Sequence, residues 1–207
     1  MKLREYYKQT VAMNDSKTGG WGKYYYGILS EVIKEKDYKL VAEVGIGYGT
    51  HAKQLLRNTN IDHLFLIDPM TYYPNDTFAT DIMTKESEIP GNNFNEMVSL
   101  IKEELSPWKE KYTWFRKPSL EITKEEIPDL YLDCVFVDGD HSYTAVLSDL
   151  LFWWNKVRSG GQILGDDYWM GDVKRAVEDF AKEKNLQITF YENKAEKYKI
   201  YSFIKTQ

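Results

Sequence analysis

Short apolar segments alternate along the chain with longer segments in which apolar residues recur every three or four positions. A continuous apolar segment predicts a strand buried on both faces, whereas the wider spacing predicts an amphipathic helix. Alternation of the two is typical of a parallel sheet with helices on both faces, so we expect an α/β fold. The predicted strands are 40–44, 63–67, 112–116, 134–137 and 162–164, and the predicted helices are 24–36, one from about residue 50, 94–105, one through 146–154 and one through 173–180.

The end of the chain and two loop regions complete this outline. Residues 187–191 and 199–204 are β-like segments separated by a polar turn, which predicts a terminal antiparallel pair. Gly160 and Gly161 are expected to stop the helix before the fifth strand. Residues 69–93 are rich in Pro, Gly and Asn and predict a lid-like loop. We therefore predict one domain over 1–207, with a helical N-terminal cap over 1–36.

Composition and charge narrow the possible partners. The chain has 207 residues, of which 43% are hydrophobic and 29% charged, as expected for one domain with a single substantial core. Its formal charge is −5, and Lys and Arg are scattered among Asp and Glu, which argues against a nucleic-acid or anionic-membrane partner. Cys134 is the single cysteine, and no apolar segment approaches the roughly 18 residues of a membrane span. We expect a soluble cytoplasmic protein with a small-molecule partner, and the sequence leaves a homo-oligomer possible.

A glycine-rich segment joins the first predicted strand to the helix that follows. It reads Glu43-Val44-Gly45-Ile46-Gly47-Tyr48-Gly49. Glycines at such a junction let the backbone turn sharply and approach a ligand closely. Asp68 ends the next predicted strand, where a carboxylate can accept hydrogen bonds from two ribose hydroxyls. The segment therefore predicts a site for a nucleotide-like cofactor.

The charge of the segment favours one cofactor over another. A dinucleotide carries a pyrophosphate, whereas S-adenosylmethionine carries an ammonium and a sulfonium cation, so Glu43 favours the second. The segment also lacks the Gly-x-Gly-x-x-Gly spacing that is typical of nicotinamide-dependent oxidoreductases, which remain a weaker alternative. A further alternative is that Glu43 hydrogen-bonds the loop backbone and the glycines only make a tight turn.

An acidic residue followed by Gly-x-Gly-x-Gly resembles the first motif of the class I S-adenosylmethionine-dependent methyltransferases. The resemblance extends over essentially the whole chain. It implies a doubly wound, mostly parallel seven-stranded sheet with an antiparallel last strand. It also implies that the cofactor is bound by Glu43, Gly45, Gly47, Gly49 and Asp68, and that Ser119, after the third strand, contacts the adenine.

Carboxylates follow two other predicted strands. Asp138 comes directly after the fourth strand, and Asp166 and Asp167 follow the fifth. Because parallel strands deliver their carboxyl ends to one crevice, these side chains should meet there. Three carboxylates with no Lys or Arg beside them repel one another, and a hard divalent cation such as Mg²⁺ relieves that repulsion. Each Asp could instead cap a loop or helix, but together they predict a metal site.

This arrangement resembles the metal-dependent O-methyltransferases of the catechol and caffeoyl-CoA type. The segments 138–143 and 165–168 resemble still more closely the macrocin and mycinamicin sugar O-methyltransferases and the cephalosporin hydroxylase-like proteins. In the catechol type an Asp and an Asp-Asn pair bind Mg²⁺, and here the pair is Asp166-Asp167. The resemblance places His141 where that type has its lysine base.

An imidazole with a pKa near 6.5 can accept a proton at cellular pH, so we expect His141 and Asp138 to be catalytic. The alternative is that His141 has only a structural role, as a helix cap or a hydrogen-bonded loop residue. The predicted function is Mg²⁺-dependent O-methylation of a small hydroxylated molecule such as a sugar, a polyketide glycoside or a catechol-like compound. The alternatives are a non-catalytic cofactor-binding protein and, less favoured, the oxidoreductase.

Overall fold

A seven-stranded mixed sheet forms the centre of the computed structural model, which describes residues 3–71 and 94–206. The strands lie close to the predicted positions. The first five are parallel, and the last is antiparallel to both of its neighbours. They are β1 Leu40–Val44, β2 His63–Ile67, β3 Tyr112–Phe115, β4 Leu132–Val137, β5 Val157–Gly165, β6 Thr189–Asn193 and β7 Tyr198–Ile204, in the order β3-β2-β1-β4-β5-β7-β6.

Helices cover both faces of the sheet. Successive buried residues of β4 face opposite sides, since Cys134 and Phe136 pack in one core cluster and Val135 packs in the other. The prediction of a doubly wound α/β fold with a terminal antiparallel pair is therefore confirmed. The helices are α1 Leu3–Asn14, α2 Tyr26–Lys36, α3 Thr50–Asn58 and α4 Phe94–Glu104, which pack in the first cluster, and α5 Tyr143–Lys156 and α6 Gly171–Lys184, which pack in the second.

The N-terminal region contains a helix that the sequence analysis did not place. The first predicted helix was 24–36, whereas α1 precedes it and buries Leu3, Tyr7 and Val11. The Tyr7 hydroxyl donates a hydrogen bond to the Tyr48 carbonyl oxygen at 3.2 Å. Helix α1 therefore packs directly on the glycine-rich segment.

The expected helix stop at Gly160 and Gly161 is wrong. Helix α5 ends at Lys156, and both glycines lie inside β5. Gly160 has a φ of 76°, and a Cβ on Gly161 would lie 2.7 Å from the Asp133 carbonyl oxygen. The pairing of β4 with β5 also shifts register near this point. The two glycines therefore allow an irregular backbone within β5. Glycine is common at such strand irregularities as well as at helix ends, so the sequence did not distinguish the two.

Two remaining expectations concern the loop and the membrane. Most of the predicted lid-like loop, residues 72–93, lies outside the described residues. Among the residues that the structure describes, no helix is long and apolar enough to cross a membrane.

Candidate cofactor cavity and acidic cluster

The glycine-rich segment forms a loop between β1 and α3, and Gly45, Gly47 and Gly49 all have positive φ angles. A Cβ on Gly45 would overlap the carbonyl oxygen of Asp138, so glycine allows the end of β1 to touch the residue after β4. A Cβ on Gly47 would meet nothing within 4 Å, so this part of the loop faces open space. The loop thus leaves backbone accessible to a ligand.

Asp68 lies at the end of β2, as predicted, and is 3% exposed. Its Oδ2 accepts a hydrogen bond from the Ile46 amide at 2.9 Å, and its Oδ1 accepts one from the Met70 amide at 2.6 Å. These contacts tie the glycine loop to the neighbouring strand. The predicted contact of Asp68 with a ribose stays a prediction, while its role in fixing the loop is visible.

Glu43 lies beneath the loop and is paired with His51, a contact that the sequence did not indicate. The His51 Nδ1 is 3.0 Å from the Glu43 Oε1, and both residues are buried. Within the described ranges, Glu43 Oε2 and His51 Nε2 have no hydrogen-bond partner. A buried polar atom without a partner costs roughly 1–3 kcal/mol, which a ligand or water would offset. Glu43 therefore has one carboxylate oxygen that can still accept a hydrogen bond from a ligand or water.

A cavity of about 460 Å³ opens beside the loop. This volume lies within the range of small-molecule and cofactor sites. Ser119, the predicted adenine contact, is in its wall, and the Ser119 Oγ accepts a hydrogen bond from the indole Nε1 of Trp153 at 3.1 Å. The cavity is lined by Val44, Gly45, Ile67, Pro69, Thr71, Pro118, Ser119, Leu120, Gly139, Asp140, Ser142, Thr144, Ala145, Ser148 and Asp149.

The acidic cluster lies next to this cavity, at the carboxyl ends of β4 and β5. Its closest group is Asp138, His141 and Asp167, whose potential ligand atoms lie within 4.8 Å of one another. The His141 Nε2 is 2.9 Å from the Asp167 Oδ2 and 4.0 Å from the Asp138 Oδ1. His141 is buried and the two carboxylates are partly buried. The structure therefore brings together both predicted catalytic residues, His141 and Asp138, and two of the three predicted metal ligands, Asp138 and Asp167.

Asp166 lies beside this group but faces other partners. It is 4% exposed, and its Oδ1 accepts hydrogen bonds from the Tyr198 hydroxyl and from the Asp167 amide, the latter at 2.6 Å. Asp167 has a φ of 58°, a left-handed conformation that is sparsely populated outside glycine and often found at functional sites. With this backbone turn, the Asp167 carboxylate lies against His141 and the Asp166 carboxylate lies against Tyr198. The joint metal role of Asp138, Asp166 and Asp167 stays a prediction.

Two tyrosines that the sequence analysis did not select complete the cluster. The Tyr25 hydroxyl donates a hydrogen bond to the Asp138 Oδ2 at 2.9 Å, and Tyr198 donates to Asp166. The two rings stack, with their centroids 5.9 Å apart and an interplanar angle of 18°. Tyr25 comes from the turn before α2 and Tyr198 from the first position of β7. No sequence spacing relates these residues to the acidic segments, so nothing in the sequence pointed to them.

The cluster is short of positive charge. Burial raises the pKa of Asp138 to about 6, and the charge of Asp167 adds to this rise, while the contacts with His141 and Tyr25 oppose it. Burial also raises the pKa of Asp166 well above its ordinary value, together with the charges of Asp167 and Asp138. Carboxyl groups with raised pKa values favour either a bound proton or a nearby cation. The cluster therefore holds protons more tightly than ordinary surface carboxylates.

The glycine loop and the acidic cluster lie at a characteristic place in the sheet. The strand order reverses between β1 and β4, and the glycine loop and the residues after β4 flank that point. Ligands of open α/β sheets bind in the crevice outside the carboxyl ends of the strands, at this reversal. The chain is therefore a doubly wound α/β domain with a cavity at its strand reversal.

Comparison with known proteins identifies the family. Residues 42–168 match a methyltransferase domain family, so the chain belongs to that family. The match includes the glycine loop, Ser119 and both acidic segments, and it excludes Tyr25 and Tyr198. A curated relative, the uncharacterized protein R132 of Acanthamoeba polyphaga mimivirus, is 25% identical over 177 residues, which cover 83% of this chain and 73% of the relative.

Solved structures share the fold at low sequence identity. An O-methyltransferase from Bacillus cereus in complex with SAH has a TM-score of 0.65 and 14% identity, covering 98% of this chain and 90% of its own. The O-methyltransferase TomG from Streptomyces achromogenes, in complex with SAM, has a TM-score of 0.62 and 13% identity, covering 88% and 79%. The prediction of a methyltransferase is confirmed by the family, and the predicted class I methyltransferase fold is confirmed by these structures.

Proposed function

We propose that this protein transfers a methyl group from S-adenosylmethionine to a hydroxyl of a small molecule, and that a divalent cation, Mg²⁺, assists the transfer. The observation that carries the proposal is the group formed by Asp138, His141 and Asp167 beside the cavity at the strand reversal. It combines oxygen ligands with a proton acceptor next to a cofactor-sized cavity. The known proteins with the same fold include O-methyltransferases, which supports this reaction class.

The residues present fit the cationic cofactor. Gly47 faces open space at the loop, and the buried Glu43 Oε2 has no partner among the described residues. An oxygen in that state is suited to accept a hydrogen bond, directly or through water, from an ammonium group. The cavity next to Gly45 and Ser119 would hold the adenosine portion.

The residues also fit a hard cation. Asp138 and Asp167 would hold it through carboxylate oxygens, which are the ligands that Mg²⁺ prefers. Asp166 and the two tyrosines would orient these ligands, since Tyr25 hydrogen-bonds Asp138 and the Asp166 Oδ1 accepts the Asp167 amide. Such a cation would stabilise the negative charge that develops on the substrate oxygen. The raised pKa of Asp138 agrees with a group that lacks a counter-charge in the protein alone.

His141 is the proton acceptor in this proposal. Its Nε2 lies among the carboxylates that would position the substrate hydroxyl, 2.9 Å from the Asp167 Oδ2. As the hydroxyl oxygen attacks the methyl carbon, the C–O bond forms and the C–S bond breaks, with its electron pair passing to sulfur. The hydroxyl proton moves to the unprotonated nitrogen of the His141 imidazole, and the products are the methyl ether, S-adenosylhomocysteine and the protonated imidazole. General-base catalysis of this kind contributes roughly 10²- to 10⁴-fold to a rate.

The central experiment measures labelled methyl transfer from S-adenosylmethionine to a panel of sugars, catechols and glycosides. We expect transfer with Mg²⁺ present and its loss on adding EDTA, with recovery when Mg²⁺ is restored. Transfer that is unchanged by chelation would contradict the cation. Binding of S-adenosylhomocysteine in calorimetry with no transfer to any acceptor would favour the non-catalytic alternative, and binding of NAD instead would favour the oxidoreductase.

A second experiment separates a base from a metal ligand. In His141→Gln we expect turnover to fall by about a hundredfold or more, with Mn²⁺ affinity, measured as a spectroscopic substitute for Mg²⁺, nearly unchanged. Loss of Mn²⁺ affinity would mean that His141 is a ligand and not the base. His63→Gln is the matched control. His63 begins β2 and contacts Thr113 of β3, so this change should affect neither turnover nor Mn²⁺ affinity.

A further inference from the structure

The buried carboxylate of Glu43 has one described hydrogen-bond partner, the imidazole of His51. The His51 Nδ1 lies 3.0 Å from the Glu43 Oε1, and the two residues are only 3% and 2% exposed. Within residues 3–71 and 94–206, no Lys or Arg forms an ion pair with Glu43. In the same ranges, the Glu43 Oε2 and the His51 Nε2 form no hydrogen bond. Each side chain is therefore the single described hydrogen-bond partner of the other.

Three aromatic rings hold the His51 imidazole in place. The imidazole is stacked on Tyr26, with centroids 4.9 Å apart and an interplanar angle of 20°. It meets Tyr25 and Phe136 edge to face, with centroid distances of 5.3 and 5.0 Å. A ring that is closely packed on several sides cannot rotate without displacing its neighbours. Because a carboxylate can only accept hydrogen bonds, the fixed Nδ1 is the donor, and it approaches Glu43 from one direction.

The contact joins the two ends of the glycine loop. Glu43 belongs to β1, and His51 belongs to the first turn of α3. The Glu43 Oε1 is engaged by His51, which leaves Oε2 as the oxygen that can accept a hydrogen bond from a cation. Hydrogen bonds weaken steeply when their geometry is poor, so a carboxylate held in one orientation binds an ammonium group better than one that is free to rotate.

We propose that His51 is a positioning residue for the cofactor: it holds the Glu43 carboxylate so that Oε2 accepts a hydrogen bond, directly or through water, from the ammonium group of S-adenosylmethionine. This inference rests on the proposed function. His51 acts through Glu43 and has no part in the methyl transfer itself. The alternative is a purely structural role, in which the pair only fastens the two ends of the loop.

The test compares two ligands by calorimetry, which needs no methyl acceptor. The ligands are S-adenosylhomocysteine and its deamino analogue, in which a hydrogen atom replaces the amino group. The two ligands share the adenosine and the carboxylate. A distorted loop would therefore weaken both of them, whereas a misplaced Glu43 carboxylate would weaken only the ligand that carries the amino group.

The variants His51→Asn and His51→Gln form a matched pair. The amide nitrogen of asparagine is as many bonds from Cβ as the imidazole Nδ1, and that of glutamine is as many as Nε2. The first variant can therefore keep the donor to the Glu43 Oε1, while the second moves it away. His51→Leu removes the donor altogether. His63→Asn is the control, because His63 lies on β2 and contacts Thr113 of β3, and thermal unfolding of every variant shows whether it folds.

We expect the unmodified protein and His63→Asn to prefer S-adenosylhomocysteine over the deamino analogue by about tenfold or more, as one hydrogen bond to a charged group contributes. His51→Asn should keep most of this preference. In His51→Gln and His51→Leu the preference should fall to about twofold or less, with the affinity for the deamino analogue nearly unchanged. The first two His51 variants decide the outcome if His51→Leu does not fold.

An equal loss of affinity for both ligands in the His51 variants would mean that the pair only fastens the loop, and it would overturn the inference. Loss of the preference in His51→Asn as complete as in His51→Gln would overturn it as well, because the donor at the Nδ1 position would not be the cause. Equal binding of the two ligands by the unmodified protein would overturn the inference and leave the proposed cofactor standing. Binding of neither ligand would instead overturn the proposed function.

Discussion

The glycine loop and the acidic cluster lie at the same edge of the sheet, but different contacts hold them in place. The loop is fixed by backbone groups, since Asp68 accepts hydrogen bonds from the amides of Ile46 and Met70. The cluster is held by side chains from opposite ends of the chain, Tyr25 on Asp138 and Tyr198 on Asp166. A substitution in the first region should therefore change cofactor binding, and one in the second should change turnover.

Asp138→Asn should give the largest effect and the sharpest test of this separation. The change keeps the shape of the side chain but removes a charge from the proposed cation site. We expect turnover to fall by about a thousandfold, as when a preorganised electrostatic group is removed, while affinity for S-adenosylhomocysteine changes by less than about threefold. The double change Asp166→Asn with Asp167→Asn should behave in the same way.

Steady-state kinetics and calorimetry on one preparation check this prediction. A parallel loss of cofactor affinity in either variant would mean that the two regions are not separable. Turnover close to that of the unmodified protein would instead contradict the catalytic role of the cluster.

Gly45→Ala should change both cofactor binding and turnover, because Gly45 is the residue at which the glycine loop contacts the acidic cluster. An added Cβ would overlap the Asp138 carbonyl oxygen, and the residue has a φ of 81°. We expect a loss of about 1–3 kcal/mol of folding stability from the backbone strain alone, together with weaker cofactor binding and lower turnover. Denaturant unfolding and calorimetry measure these effects.

Gly27→Ala is the matched control. Gly27 lies in α2, where a Cβ would meet nothing within 4 Å. Alanine is the better helix former by about 0.5–1 kcal/mol, so this variant should be slightly stabilised with normal binding. If both alanine variants behave alike, the close contact at Gly45 is not what requires glycine.

The difference between the two regions also explains what could be predicted from the sequence. Strands buried on both faces appear as continuous apolar segments, so β1 and β2 were placed to the residue and β4 to within two residues. The glycine loop was predictable because all of its glycines lie together in one segment. The convergence of Asp138 with Asp167 followed from the rule that parallel strands deliver their ends to one crevice.

Contacts between distant side chains were not predictable in this way. Tyr198 begins a strand at the far end of the chain, and nothing in its local sequence relates it to Asp166. Asp149 lies on a helix whose spacing predicts only which face is apolar. Helix α1 did carry a signal, since Leu3, Tyr7 and Val11 recur every four residues, but the charges between them obscured it.

Tyr25→Phe and Tyr198→Phe sharpen the comparison at the level of single hydrogen bonds. Each removes one hydroxyl that orients a carboxylate and leaves the ring stacking in place. We expect turnover and Mn²⁺ affinity to fall about tenfold, at the lower end of the effect of removing a group that orients a ligand. Cofactor affinity should be unchanged in calorimetry.

Tyr24→Phe is the control for these two variants. Its ring packs on Tyr198 with centroids 5.3 Å apart, but its hydroxyl forms no hydrogen bond to another residue in the described part of the chain. An equal effect of Tyr24→Phe would show that ring packing, and not the hydroxyl groups, supports the cluster.

The smallest predicted effect is on the pH dependence of stability, and it belongs to the cofactor end of the site. Burial raises the pKa of Asp149 from an ordinary value of 3.8 to about 7, so between these values the folded protein holds a proton that the unfolded chain has lost. Stability should therefore decrease as the pH rises through this window and level off above about pH 7. Asp138 and Asp166 act in the same direction, because their pKa values are also raised. Asp149→Asn should remove only the contribution of Asp149, so the stability of the variant relative to the unmodified protein should increase from about pH 4 to about pH 7 and then stay constant. Denaturant unfolding at several pH values measures this difference, and a difference that stays constant with pH would mean that Asp149 keeps its ordinary pKa in the folded protein.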